Sequence, residues 1–168
     1  LIDLSHSGRA TTLDAIEVSK DPVAFTHAGS RSVYNHWRNK SDEEIKALAE
    51  KGGVMGIFAL ARNLHPKGGK EHIDIEPWLD HLDYVVKLVG VDHVGVGLDM
   101  NDRRKLEFYQ MICAAVPEAL DGISDASRLI YEAKSFDEVK WRWFPDGLDD
   151  LGKICLLYTS PSPRDRTR

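Results

Sequence analysis

Four short apolar runs punctuate the chain: "LIDLSH" (1–6), "VAFTH" (23–27), "GVMGIFAL" (53–60) and "HVGVGLDM" (93–100). Each is followed by a stretch with helical character. Thr11 and Thr12 are expected to cap a helix through "LDAIEVSK" (13–20), with Leu13, Ile16 and Glu17 at helical spacing, and Asp21-Pro22 ends it. Ser41 with Glu44 three residues later forms a capping-box pattern opening the helix "DEEIKALAEK" (42–51), which stops at Gly52-Gly53. After the third run a long loop rich in Gly, Lys and His is expected. Residues 75–90 then place Trp78, Leu79, Leu82, Val85, Val86 and Val89 on one face of an amphipathic helix.

Runs that alternate with helices predict a parallel α/β sheet. They are continuously apolar, as strands covered on both faces are. No GxGxxG follows the first run and no GxxxxGK[ST] occurs, so a nucleotide-binding doubly wound sheet lacks support. The expected architecture is a (β/α)8 barrel of the TIM type, which typically takes about 250 residues, so four βα units make half of one. The segment 101–139 reads as mostly polar and helical, without a fifth strand.

The last fourteen residues, "CLLYTSPSPRDRTR" (155–168), break from this pattern. They can be encoded by a sequence that resembles a transposase-type adapter read in one frame, and are expected to be adapter read-through. That divides the chain into a native 1–154 and a foreign 155–168. The segment holds three arginines and one aspartate, so without it the net charge of −5 becomes −7 and Cys113 is the single native cysteine. With no initial Met, an internal fragment cut at both ends is expected. A negative chain argues against nucleic acid as a partner. No run of about 20 apolar residues is present for a membrane span. A soluble, cytoplasmic chain is the expectation, with export left open.

Candidate chemistry lies at the ends of the runs. His6 closes the first, His27 the second and Asp99 the fourth. In (β/α) barrels these ends converge on one mouth, where active sites are built. His6 and His27 are 21 residues apart, about one βα unit, so their rings would stand side by side on neighbouring strands. Two neutral imidazoles so placed can share a divalent metal; each can equally be a loop histidine bonded to backbone. Asp99 reads as a site carboxylate or as a helix cap. Arg38, in the loop at the same mouth, reads as a solvated charge or as a fork for a substrate carboxylate. His81 on the amphipathic helix and His65, His72 and His93 in or near loops have structural readings, and His36 is open.

"DLSH", "PVAFTHAGSRSVYNHWRN" and "HVGVGLD" together resemble the membrane (renal) dipeptidase family of zinc metallopeptidases, within the amidohydrolase-like barrels. The likeness runs from Leu1 to about Ile154, including "WFPDGLDDLGK", and corresponds to the C-terminal half of the family's catalytic domain. It implies that His6 and His27 ligate one zinc of a binuclear pair. It further implies that Arg38 holds the substrate's C-terminal carboxylate, and that Asp99 lies by the substrate amino group and helps move protons. The implied reaction is dipeptide hydrolysis by a metal-bridging hydroxide. The family's His-x-Asp ligands, bridging glutamate and a further substrate-contacting histidine have no equivalent in this chain, and "LDMND" stands where the family usually has Asp-Phe-Asp-Gly. Expected partners are a dipeptide and, at full length, a second copy in a homodimer. The rival readings are another amidohydrolase-like hydrolase of amides or esters, and a catalytically inert incomplete chain.

Overall fold

The computed structural model describes residues 1–68, 70–99, 144–146 and 148. Three strands, β1 (Ala24–Ala28), β2 (Val54–Ile57) and β3 (Val94–Val96), form a parallel sheet in the order β1-β2-β3. The helices are α1 (Arg9–Val18), α2 (Asp42–Glu50), α3 (Ala61–Leu64) and α4 (Glu76–Val89). The first apolar run lies parallel against β1 through a bridge of Asp3 to Ala24, with Leu4 N–H donating to Ala24 O at 2.8 Å and Ala24 N–H to Ile2 O at 3.0 Å. Extended segments thus pair in chain order, each parallel to the next. The α/β parallel class expected from the sequence is what the structure shows.

Several boundaries differ from the expected ones, each for a physical reason. The first run is a single bridge rather than a strand. Asp3 Oδ1 accepts from Ser5 N–H two residues on, an Asx turn, and Ser7 N–H closes on Leu4 O, so the chain bends before it can extend the ladder. Helix α1 begins at Arg9 with Gly8 as N-cap, not at the threonines. Thr12 is instead buried within the first turn, its hydroxyl donating to Ser7 O. The expected loop after β2 contains the one-turn α3, too short for a periodic pattern to reveal. Helix α2 carries the full capping box, with Ser41 and Glu44 bonded reciprocally. Residues 101–139 and 155–168, on which two further expectations rest, lie outside the described residues.

The core joins Phe25, Ile45, Leu48, Met55, Ile57, Phe58, Trp78 and Val85, and Phe144 and Leu148 close over it from the far end of the chain. Asp146 N–H donates to Ile73 O at 2.8 Å and fixes that return. Between Phe25 and Ala28 the register to β2 slips by one residue, a β-bulge. Thr26 O turns in over two glycines: a Cβ at Gly56 or Gly97 would lie 2.3 or 1.8 Å from it. Those positions therefore exclude any side chain, and the bulge depends on them.

His81 is fully buried on α4, where it crosslinks the segment after β1 to the end of α3. Its Nδ1 accepts Ser30 N–H at 2.8 Å, and its Nε2–H donates to Leu64 O at 3.2 Å, which requires the neutral ring. Burial drives its pKa from 6.5 down to about 4, against the opposing pull of the Leu64 carbonyl and Asp80. The folded pKa lies below the unfolded one, so this contribution to stability is intact above pH 6.5 and is lost as pH falls toward about 4. The slope in that window is about 1.4 kcal/mol per pH unit. Urea titrations should show the gap in stability between the wild type and His81→Gln narrowing from pH 7 to pH 5; parallel pH profiles would contradict this assignment.

Candidate metal-binding site

The site grows from one carboxylate. Asp3 Oδ1 accepts Ser5 N–H at 3.0 Å, Ser5 Oγ–H at 2.5 Å and Thr26 N–H at 3.1 Å, while Oδ2 accepts Thr26 Oγ1–H at 2.6 Å. Partial burial pushes its pKa up, but the hydroxyls of Ser5 and Thr26, then their backbone N–H groups, hold it far below the usual carboxylate range. Asp3 is therefore ionised and can only accept. It ties the first run to the bulge of β1, and Ser5 Oγ completes the tie by accepting His27 N–H at 3.0 Å.

This arrangement sets the state of His27. In a regular strand neighbouring side chains point to opposite faces. The bulge turns Thr26 and His27 to the same side, so Thr26 Oγ1 lies 2.8 Å from His27 Nδ1. The Thr26 hydroxyl proton is committed to Asp3, so Thr26 accepts and His27 Nδ1 carries the hydrogen. The Nε2 of His27 is left with a free lone pair.

His6 stands opposite on the Leu4–Ser7 turn. The two rings are edge-on with centroids 4.9 Å apart, and their Nε2 atoms are 2.8 Å apart. Arg38, buried at 8% exposure, donates from Nη1 to Ser5 O at 2.6 Å and from Nη2 to His6 Nε2 at 3.2 Å. Arginine has no acceptor, so His6 Nε2 also presents a lone pair. Burial, then the charges of Arg38 and His27, hold the His6 ring below its ordinary pKa, against the pull of Asp99 and Asp3. Two lone pairs meeting at this distance repel unless a cation or proton lies between them. The donor set therefore fits a metal: two neutral imidazoles aimed at one point, close enough to share an ion at the usual metal–nitrogen length of about 2.0–2.1 Å. The tautomer of His27, held through Thr26 to a carboxylate, reproduces the outer hydrogen bond that metal-binding histidines usually make.

Of the four residues singled out in the sequence, His6, His27 and Arg38 meet directly. Asp99 is exposed just beyond β3, in the left-handed region at φ 56°, and its charge acts on both His6 and Arg38. Beside them a cavity of about 80 Å³ is lined by His6, Arg9, Arg31, Trp37 and Arg38. Among the described residues no cluster of three or more His, Cys, Asp or Glu gathers on one point. Also among them, no helix is long and apolar enough to cross a membrane. Asp3, Ser5 and Thr26 were not singled out in the sequence, although "DLSH" and "FTH" put each within three residues of a candidate histidine.

A parallel α/β sheet with imidazoles gathered where its strands end defines a class, the α/β proteins whose chemistry sits on strand-end loops. Within it, the chain belongs to the membrane dipeptidase family, Peptidase family M19, whose model matches residues 1–132. Dipeptidase ataJ of Aspergillus terreus is 37% identical over 101 residues, covering 60% of this chain and 24% of that protein. Among solved structures, an amidohydrolase from Pseudomonas aeruginosa aligns over 97% of this chain and 46% of its own, at 29% identity and a TM-score of 0.65. A metallopeptidase from Rhodobacter sphaeroides, liganded with a phosphinate mimic of the dipeptide L-Ala-D-Ala, aligns over 60% of this chain and 29% of its own, at 31% identity and a TM-score of 0.57. The chain spans about a quarter of the length of the curated relatives it matches.

The hydrogen-bond relay predicts a tautomer switch. In Asp3→Asn the amide oxygen keeps the Ser5 and Thr26 backbone donors, and its NH2 then faces Thr26 Oγ1. Thr26 must accept from it and donate to His27 Nδ1, which moves the His27 proton to Nε2. Long-range proton–nitrogen correlation spectra at about pH 8, above the ordinary histidine pKa, should show that switch. An unchanged Nδ1–H form would contradict the relay.

Proposed function

We propose that this chain supplies part of the active site of a zinc-dependent dipeptidase built on a (β/α)8 barrel, with His6 and His27 ligating one metal. The observation that carries the reading is the convergence of the two Nε2 lone pairs, 2.8 Å apart, on residues placed by consecutive parallel segments. Family membership supports it, and so does the R. sphaeroides relative bound to a dipeptide mimic. Segments that pair in chain order, each parallel to the next, are what a (β/α) barrel requires. Two imidazoles are fewer donors than a metal site needs, so the other ligands, including those of a second zinc, come from the rest of the barrel.

Zinc in such a site supplies Lewis acidity and makes a water available as hydroxide near neutral pH. The chain's own groups do the rest. Arg38 uses two of its five N–H donors on Ser5 O and His6, which leaves others to read the C-terminal carboxylate of a dipeptide. Asp99, exposed and near enough for its charge to act on Arg38, binds the substrate's amino end and takes up and returns protons during cleavage. The cation–carboxylate arrangement selects a substrate with both termini free and close together, which is a dipeptide.

Two measurements test this in the protein that carries the chain. His6→Ala and His27→Ala should each lose one equivalent of metal by elemental analysis, and unchanged stoichiometry would remove them as ligands. Arg38→Lys should raise KM about tenfold for a free dipeptide, the size of one lost charged hydrogen bond. It should raise KM much less for the same dipeptide amidated at its C-terminus. Equal effects on both would rule out carboxylate recognition by Arg38.

A further inference from the structure

Lys40 is 2% exposed, and all three of its ammonium hydrogens have internal acceptors. Nζ donates to Ser7 O at 2.8 Å, Thr12 Oγ1 at 2.9 Å and Glu44 Oε1 at 3.3 Å, and it lies 4.7 Å from the centre of the Phe25 ring. Burial lowers the Lys40 pKa despite the attraction of Glu44. For Glu44, burial is outweighed by the Ser41 hydrogen bonds and Lys40, so its carboxyl stays below the usual range and the pair is charged. A buried ion pair is weak evidence for stability, since an apolar pair of similar volume often serves as well.

Its position indicates a different role. Ser7 O is the carbonyl of the residue that follows His6, and Arg38 grips Ser5 O, the carbonyl of the residue that precedes it. The peptide group just before His6 and the one that follows Ser7 are therefore held by cations from residues 38–40, one on each side of the His6 turn. Gly8, the next residue, is the N-cap of α1 and makes no side-chain cap bond of its own. The base of the clamp is rigid: Lys40 N–H donates to Gly29 O and Arg31 N–H to Lys40 O, each at 2.8 Å.

We propose that Lys40 is a positioning residue for His6. By holding the Ser7 carbonyl and linking it to Thr12 on α1 and Glu44 on α2, it keeps the His6 ring opposite His27 with its Nε2 turned toward the His27 Nε2. The inference rests on the reading of His6 and His27 as ligands. It differs from a purely structural role, in which Lys40 pins α1 to α2 and has no bearing on metal.

Zinc affinity of the protein that carries the chain, measured by competition with a chromophoric chelator, separates the two. Lys40→Met, and Lys40→Met with Glu44→Gln, both release Ser7 O. The double variant is neutral on both sides, and the glutamine amide would still serve the Ser41 capping box. Each should bind zinc about 10- to 100-fold more weakly, the usual effect of losing an outer partner of a metal ligand. The double variant should keep a thermal midpoint within a few degrees of wild type. A double variant that melts like wild type and binds zinc equally well overturns the proposal, as does one that melts earlier yet keeps full affinity. If neither Met variant folds, Thr12→Val, nearly isosteric, decides: severalfold weaker zinc binding supports the clamp and unchanged binding overturns it. His6→Ala and His27→Ala run alongside. Wild-type affinity in both would defeat the ligand reading itself, whereas loss there without loss in the Lys40 variants defeats only the positioning role.

Discussion

Everything at the strand ends depends on the Asp3 carboxylate. Four donors from Ser5 and Thr26 converge on it, two from backbone and two from hydroxyls. A carboxylate so satisfied is stable in its charged form, and that charge dictates the direction of each hydrogen bond beyond it. Thr26 must donate to Asp3, so it must accept from His27. One ionised group thereby fixes the position of the first segment, the end of the following strand and the protonation of a ring two bonds away.

The surrounding cations work on the same local backbone from the other side. Arg38 and Lys40 come from a loop that is itself paired to the end of β1 through Ser30. Their charges are neutralised by carbonyls, by Glu44 and by the field of Asp99. The result is a turn around His6 held by charged hydrogen bonds, which are stronger and shorter than neutral ones. Such a turn can present an exposed histidine in one orientation without a hydrophobic neighbour to pack it.

Much of this was legible in the chain. The alternation of apolar runs with helical patterns showed the parallel α/β class, and the Ser41/Glu44 pair located the start of α2 to the residue. His6 and His27 stood out because few side chains bind metals, and their spacing matched one βα unit. Other features were hidden because their cause is tertiary. Thr12 looks like a cap in sequence, but its hydroxyl is engaged by Lys40 and Ser7 from elsewhere in the fold. His81 reads as one more residue of an amphipathic helix, yet the segment after β1 and the end of α3 engage both its ring nitrogens. Asp3, Ser5 and Thr26 are ordinary polar residues until the bulge gathers them, and a one-residue slip in register leaves no mark in composition or periodicity.

That slip bears on how such a site can arise. Phe25 and Ala28, on either side of it, both face the core. In an unbroken strand, residues three apart face opposite ways, so the bulge keeps the hydrophobic interior supplied while turning two consecutive polar residues outward together. One inserted residue, admitted by Gly56 on β2 and Gly97 just past β3, is enough to convert a strand that only packs into one that also presents two polar side chains together. The scaffold and the chemistry can therefore change independently, because the core does not register what the outer face has gained.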